Sequence, residues 1–179
     1  VDEKNIELII MGTKGATGAK EIFMGSNTGD VIIRSSCNVI AVPENHTYKP
    51  PKEIVFPTDF QIDYDFEDLA PLISLAEMNN TMIRIVHFSE KTDLDERQEQ
   101  NKRKLSSFLA NIIHKYYTLS SSDFEEGLNC FTQSRGNIDM IAIIGRHYGF
   151  FQRLFFKPKV RALSFHSTIP LFVIHHLNE

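Results

Sequence analysis

Apolar and polar positions fall along this chain in blocks of two lengths. The short apolar blocks are Ile6–Met11, Val39–Val42, Glu53–Phe56, Met82–Phe88, Ile138–Ile144 and Leu171–Ile174. Near-continuous apolar runs of that length read as strands covered on both faces, the pattern of a parallel sheet. In the longer blocks apolar residues recur at three or four positions, the helical spacing. Ala19–Arg34 predicts a helix with Ile22, Phe23, Val31 and Ile32 inward. Asp65–Met78 predicts one with Leu69, Leu72, Ile73 and Leu75 inward. Thr92–Tyr117 predicts a long helix whose inner face is Leu105, Phe108, Leu109, Ile112 and Ile113. Leu119–Phe124 follows as a weak edge strand, Glu126–Gln133 as a short helix and Phe151–Leu163 as another helix. Strand and helix thus alternate, which defines an α/β protein with a mainly parallel sheet.

The pattern also repeats. A shift of 132 residues lays Ile6–Val42 on Ile138–Ile174 without a gap. Ile6-Glu7-Leu8-Ile9 meets Ile138-Asp139-Met140-Ile141, and the run Ser35–Val42 meets Ser167–Ile174. A fixed internal period sets the domain count. The polar, proline-bearing stretch 44–52 is the natural linker. Residues 1–43 then read as the C-terminal part of a first domain and residues 53–179 as a complete second one.

Candidate chemistry sits at the end of the first strand. Gly12, Gly15, Gly25 and Ser26 follow the pattern Gly-x2-Gly-x9-Gly-Ser. Glycines where a strand turns into a helix let backbone N–H groups approach an anion, and Ser26 adds a hydroxyl. Together they describe a cradle for a di- or triphosphate. The alternative is that these are ordinary turn glycines. In the second copy the four positions fall on Ile144, His147, Lys157 and Pro158; a one-residue gap would pair Gly12 with Gly145. Side chains there block close approach, and Pro158 has no N–H to give. The second copy therefore reads as a nucleotide site that has lost its function.

Composition narrows the classes. The chain has 179 residues, 42% of them hydrophobic, enough for a packed core. A net charge of −4 leaves no basic footprint, so no nucleic-acid partner is expected. No apolar run approaches the roughly 18 residues of a membrane span, and Val1-Asp2-Glu3-Lys4 does not resemble a signal peptide. Cys37 and Cys130 make no metal or disulfide pattern, which fits a reducing cytoplasm. His87, His114, His147, His166 and the adjacent His175-His176 lack zinc spacing, so no metal is expected. Asp63, Asp65, Glu67 and Asp68 suit the start of a helix better than a carboxylate site. No catalytic residue is visible. Tyr148, Phe150, Phe151, Phe155 and Phe156 form an aromatic run that either plugs the vacated pocket or meets a partner.

These residues resemble the universal stress protein family. The resemblance covers nearly the whole chain. It rests on Met11-Gly12-Thr13-Lys14-Gly15, on Gly25-Ser26, on Ser36–Pro43 and on Ile54-Val55-Phe56-Pro57-Thr58-Asp59-Phe60. It implies a Rossmann-like, doubly wound parallel five-stranded sheet of order 3-2-1-4-5, here preceded by a partial second copy of the same fold. It also implies tandem members that pair through their last strands. In ATP-binding members the glycine loop works with an acidic residue from the first strand of the same domain. Carried onto this chain, the cofactor-binding positions are Met11, Gly12, Thr13, Gly15, Gly25, Ser26 and Asn27, with Asp59 at the acidic position of the other copy. Asn27 departs from the family, which has an apolar residue there.

If the two repeats are alike, roughly 80 residues of a first domain are expected to precede this chain, so ATP is expected in an intact first domain and at most weakly here. Another polypeptide, either that N-terminal segment or a second copy of the chain (a dimer), is expected to cover apolar positions such as Leu8, Ile10 and Val39. Two functions remain: a nucleotide-binding stress-response regulator, or a scaffold of the same fold that works without ATP. An enzyme is not expected, although slow ATP hydrolysis is compatible with the loop.

Overall fold

A computed structural model describes residues 6–13, 26–89, 93–121, 124–145 and 169–175. Seven strands and four helices alternate along them: β1 (Leu8–Gly12), α1 (Ser26–Arg34), β2 (Asn38–Val42), β3 (Glu53–Pro57), α2 (Phe66–Asn79), β4 (Met82–Phe88), α3 (Glu96–Phe108), β5 (His114–Leu119), α4 (Phe124–Arg135), β6 (Met140–Ile144) and β7 (Leu171–Ile174). The expected α/β class is therefore observed. The expected helix Phe151–Leu163, the first half of Ala19–Arg34 and the aromatic run 148–156 lie outside the described residues.

The chain forms two compact units: Lys49–Ile143, and Val1–Tyr48 together with Ile144–Glu179. In the Lys49–Ile143 unit the strand order is β6-β3-β4-β5. Every pair in it is parallel, with Ile54 opposite Met140, Phe56 opposite Ile85 and Val86 opposite Tyr117. Ile54, Val55, Ile83, Ile85, Val86, Ala142 and Ile143 are fully buried. That double-sided burial is why these strands carry no polar alternation. Leu69, Leu72, Leu105 and Leu128 from the helices, and Leu109 just past the end of α3, close the core.

The other unit joins β1 to β2 in parallel, Leu8 opposite Asn38 and Gly12 opposite Val42. β2 then pairs with β7 in the antiparallel sense, Ile40 opposite Phe172. These are the closing strands of the two sequence repeats, so the C-terminal strand belongs to the same compact unit as the N-terminal copy. Val39 is completely buried here, which corrects the expectation that it awaits a cover; Leu8 and Ile10 are 43% and 65% exposed.

One helix is shorter than its periodicity suggests. Thr92–Tyr117 was expected to be helical throughout, but α3 stops at Phe108 and residues 114–119 form β5. A capping box fixes its start: the Gln98 N–H donates to Asp95 Oδ1 over 2.8 Å, and the Asp95 N–H donates back to Gln98 Oε1 over 3.0 Å. After Leu109 the chain turns, with the Ile112 N–H donating to the Leu109 carbonyl. Tyr116, Tyr117 and Thr118 then follow their β preference beside β4. Ile113, assigned to the inner helix face, is 63% exposed. The edge strand placed at Leu119–Phe124 accordingly lies earlier, and α4 starts at Phe124.

Residues 49–53 are not free linker. The Thr81 hydroxyl donates to the Pro51 carbonyl over 2.6 Å, the Met82 N–H to the Lys52 carbonyl, and the Asp139 N–H to the Glu53 carbonyl. The expected linker 44–52 thus has its last residues built into the Lys49–Ile143 unit.

Candidate functional site

The glycine run begins where β1 ends. Met11 and Gly12 close the strand, and the Thr13 N–H donates to the Val42 carbonyl over 3.0 Å, carrying the β1–β2 ladder one residue further. From the helix side, the Thr28 hydroxyl donates to the Gly12 carbonyl over 2.9 Å. Thr28 is the third residue of α1 and is 2% exposed. This bond ties the end of the strand to the first turn of the helix, so Met11, Gly12 and Thr13 stand beside the backbone that starts at Ser26. The first turn of α1 carries no acidic residue, so none of its own carboxylates neutralises its N-terminal N–H groups. A Cβ built at Gly12 meets no described atom within 4 Å, and the backbone there is ordinary extended strand. Among the described residues nothing gives a steric reason for a glycine at this position. Gly15 and Gly25 lie outside the described residues, as does the side chain of Asn27.

The same backbone bond recurs in the second copy. The Gly145 N–H donates to the Ile174 carbonyl over 2.8 Å, and these two residues stand 132 positions after Thr13 and Val42. Gly145 thus takes the place of Thr13, and Ile144 that of Gly12. Here the space is filled: a Cβ on Gly145 would lie 3.1 Å from the His175 ring and 3.3 Å from Val173 Cγ1. Nε2 of His175 is buried and has no hydrogen-bond partner among the described residues. Burial lowers the His175 pKa, against a raising contribution from a hydrogen bond to the Ile32 backbone.

Asp59 lies in the Lys49–Ile143 unit, just past the end of β3. Its Oδ1 accepts the Gln61 N–H over 2.9 Å, and its carbonyl accepts Gln98 Nε2 over 2.8 Å. The neighbouring loop is held as firmly. The Phe60 N–H donates to Thr58 Oγ1, the Phe60 carbonyl accepts Asn101 Nδ2, and Thr58 Oγ1 is hydrogen-bonded to the Tyr64 hydroxyl. Burial raises the Tyr64 pKa well above the normal phenol range, so the hydroxyl stays protonated. His87, 3% exposed, shares a hydrogen between Nδ1 and the Thr58 carbonyl over 3.0 Å. A carbonyl only accepts, so Nδ1 carries that proton. Gln98, Asn101 and Lys104 recur every three residues on α3 and grip residues 59–63 in turn, Lys104 through a 2.7 Å contact to Asp63. Asp63 and Asp65 thus serve Lys104, while Glu67 and Asp68 sit in the first turn of α2.

The structure brings together Met11, Gly12, Thr13 and the backbone start of Ser26, and it places Asp59 in the other compact unit. Thr28 was missed by the sequence reading. Its only signal was a small hydroxyl residue two positions after Gly25-Ser26, where the first helical turn faces the strand end. No group of three or more metal-ligating side chains occurs among the described residues, and none of their helices is long and apolar enough to cross a membrane.

A parallel β-α-β unit with glycine at the strand end, beside a helix N-terminus, is an arrangement that can present backbone N–H groups to an anion. Residues 1–43 match the model of the Universal stress protein family. Among solved structures, a universal stress protein from Archaeoglobus fulgidus DSM 4304 matches 98% of this chain with a TM-score of 0.64 at 16% identity. A protein of unknown function from Pseudomonas aeruginosa PAO1 matches 98% with a TM-score of 0.60 at 13% identity. At such identities these likenesses establish the fold. The chain covers 63% and 65% of those two structures, less than two thirds of their length. A comparison with curated proteins found no match.

Proposed function

We propose that this chain is a universal stress protein whose first copy binds the phosphates of an adenine nucleotide, ATP by preference, and acts as a stress-response regulator rather than an enzyme. The observation that carries this reading is the junction at Gly12: a glycine with no described atom within 4 Å of a Cβ placed on it, tied by Thr28 to the first turn of α1, which carries no acidic residue. Backbone N–H groups from Gly12 and Gly15 on one side, and from Gly25, Ser26 and Asn27 on the other, would receive the phosphates, while Met11 and Thr13 hold the strand end against β2. Low affinity is expected, because the acidic position Asp59 lies in the other compact unit and its carboxylate already accepts the Gln61 N–H.

The tandem reading and the sheet order 3-2-1-4-5 belong to the same proposal. Their support is the all-parallel order β5-β4-β3-β6 and the recurrence of the Thr13–Val42 bond at Gly145–Ile174. A partner strand or helix, from a second copy or from a preceding segment, would cover Leu8 and Ile10. A cytoplasmic location fits an unpaired, buried Cys37 beside a hydroxyl, Ser35 Oγ, at 3.1 Å.

The test is an ATP titration followed at the backbone amides. Shifts centred on residues 11–15 and 25–28 support the proposal; no shift at saturating nucleotide contradicts it. A scaffold without nucleotide is the second reading, favoured by the internal engagement of Asp59 in the second copy.

A further inference from the structure

We infer that the outer edge of β1 is a docking edge for one more strand, an apolar extended segment that runs parallel to β1. Among the described residues β1 has a single strand neighbour, β2. The Glu7 carbonyl accepts the Asn38 N–H over 3.2 Å, and the Thr13 N–H donates to the Val42 carbonyl over 3.0 Å. The register between those two bonds is unbroken. Alternate residues of a strand turn their polar groups to the same side, so Glu7, Ile9, Met11 and Thr13 serve β2. Leu8, Ile10 and Gly12 turn theirs the other way. The Gly12 carbonyl is taken by Thr28, which leaves the N–H and C=O groups of Leu8 and Ile10 as the open edge. A row of this kind is a template for another strand.

The sequence repeat shows which kind of strand fits. β6 is the counterpart of β1, with Met140–Ile143 standing 132 positions after Leu8–Met11. Every residue of β6 is buried, whereas β1 alternates between exposed and half-buried positions. Their neighbours differ: β6 has β3 alongside in parallel, Ile54 opposite Met140 and Val55 opposite Ile141. β1 carries the apolar run suited to such a cover and lacks one, so Leu8 stays 43% exposed and Ile10 65%. A strand like β3, apolar on both faces, would pair with the open groups of Leu8 and Ile10 and bury their side chains. A second copy presenting its own β1 about a two-fold axis would run antiparallel and is the competing occupant. The docking strand deepens the cover proposed above for Leu8 and Ile10. It rests on the repeat and not on nucleotide, so its failure and that of ATP binding are read separately.

The probe is a synthetic peptide with the sequence of residues 52–58, titrated into the isotopically labelled whole chain. Saturable amide shifts are expected at Leu8 and Ile10, and none there with a peptide of the same composition in scrambled order. A paramagnetic tag on the peptide N-terminus should broaden Ile6 and Leu8 more than Gly12 and Thr13, the mark of a parallel strand. Ile10→Pro removes an N–H that β2 does not use, at an edge position where proline is tolerated. It should weaken the peptide at least about tenfold. Should Ile10→Pro fail to fold, peptides N-methylated at Val55, or at Ile54 and Phe56, decide instead: one should lose affinity and the other keep it. Absence of shifts at Leu8 and Ile10, equal binding of the scrambled peptide, or broadening centred on Gly12 and Thr13 overturns the inference. So do unchanged binding by Ile10→Pro and an equal response of the two methylated peptides. Dilution-dependent shifts at Leu8 and Ile10 in the chain alone would overturn it in favour of a second copy.

Discussion

Gly12→Ala separates what the fold needs from what a ligand needs. The glycine ends β1 with a backbone open to any residue, and its missing side chain would point into space free of described atoms to 4 Å. Among the described residues a methyl group there meets no neighbour. It also removes conformational freedom from the unfolded chain, an effect of about 0.4–1 kcal/mol in favour of folding at a compatible position. Stability should therefore hold or rise slightly, read as the midpoint of a urea transition. Phosphate binding should respond in the opposite direction. On the proposed site a Cβ at the strand end stands where an anion must approach the Gly12 amide, and loss of that approach should weaken ATP by at least about tenfold, or roughly 1.4 kcal/mol. The reasoning fails if the substitution destabilises the chain by about 1 kcal/mol or more, because the glycine would then be structural. It fails equally if ATP binds the variant as well as the parent.

Three further outcomes follow from the packing. Glu53→Ala should cost about 3 kcal/mol in urea unfolding. It leaves Arg84, 8% exposed, without the carboxylate that pairs Nε and Nη2 and with only the Tyr117 hydroxyl. Adding Arg84→Met should restore most of that loss. Gly127→Ala places a Cβ 2.7 Å from the Phe88 ring and 3.1 Å from Ser121 Cβ. The overpacking, about 1–3 kcal/mol, outweighs a helix-propensity gain of about 1 kcal/mol, so thermal unfolding should shift down; an upward shift refutes the argument. His175 resists protonation because it is buried, while the unfolded chain takes the proton at the ordinary value of 6.5. Above pH 6.5 both states are neutral and the residue adds no pH dependence. As pH falls below 6.5 the unfolded state gains protons first and stability drops. His175→Gln should flatten that part of the stability profile, and an unchanged profile would remove His175 from the account.

Much of this architecture was readable from the residues because its strands are buried on both faces. Ile54-Val55-Phe56 and Met140–Ile144 stand out as apolar runs for that reason, and their bounds agree with the structure to within two residues. Thr92–Tyr117 was misread because Ile112 and Ile113 continue a helical spacing across a turn that only tertiary contacts reveal. Of the two, Ile112 packs inward and Ile113 faces solvent. The antiparallel β2–β7 pairing joins residues far apart in sequence, and no local pattern encodes it. The residues holding the loop after β3, Gln98, Asn101 and Lys104, are polar and lie outside the apolar inner face read for that helix. Their spacing of three gains meaning only once the loop lies against α3. At the candidate site, glycine spacing announced a phosphate cradle, whereas Thr28 needed the helix to be placed before its hydroxyl could be seen to reach Gly12.

The central claim is that a nucleotide phosphate sits where β1 meets α1. Titrating ATP into the isotopically labelled chain, with amide shifts read residue by residue, tests it most directly and detects weak binding. The account predicts saturable shifts at Met11, Gly12, Thr13 and Thr28, reduced at least about tenfold in apparent affinity by Gly12→Ala. Saturable shifts centred on Asp59, or none anywhere at high nucleotide, would contradict it.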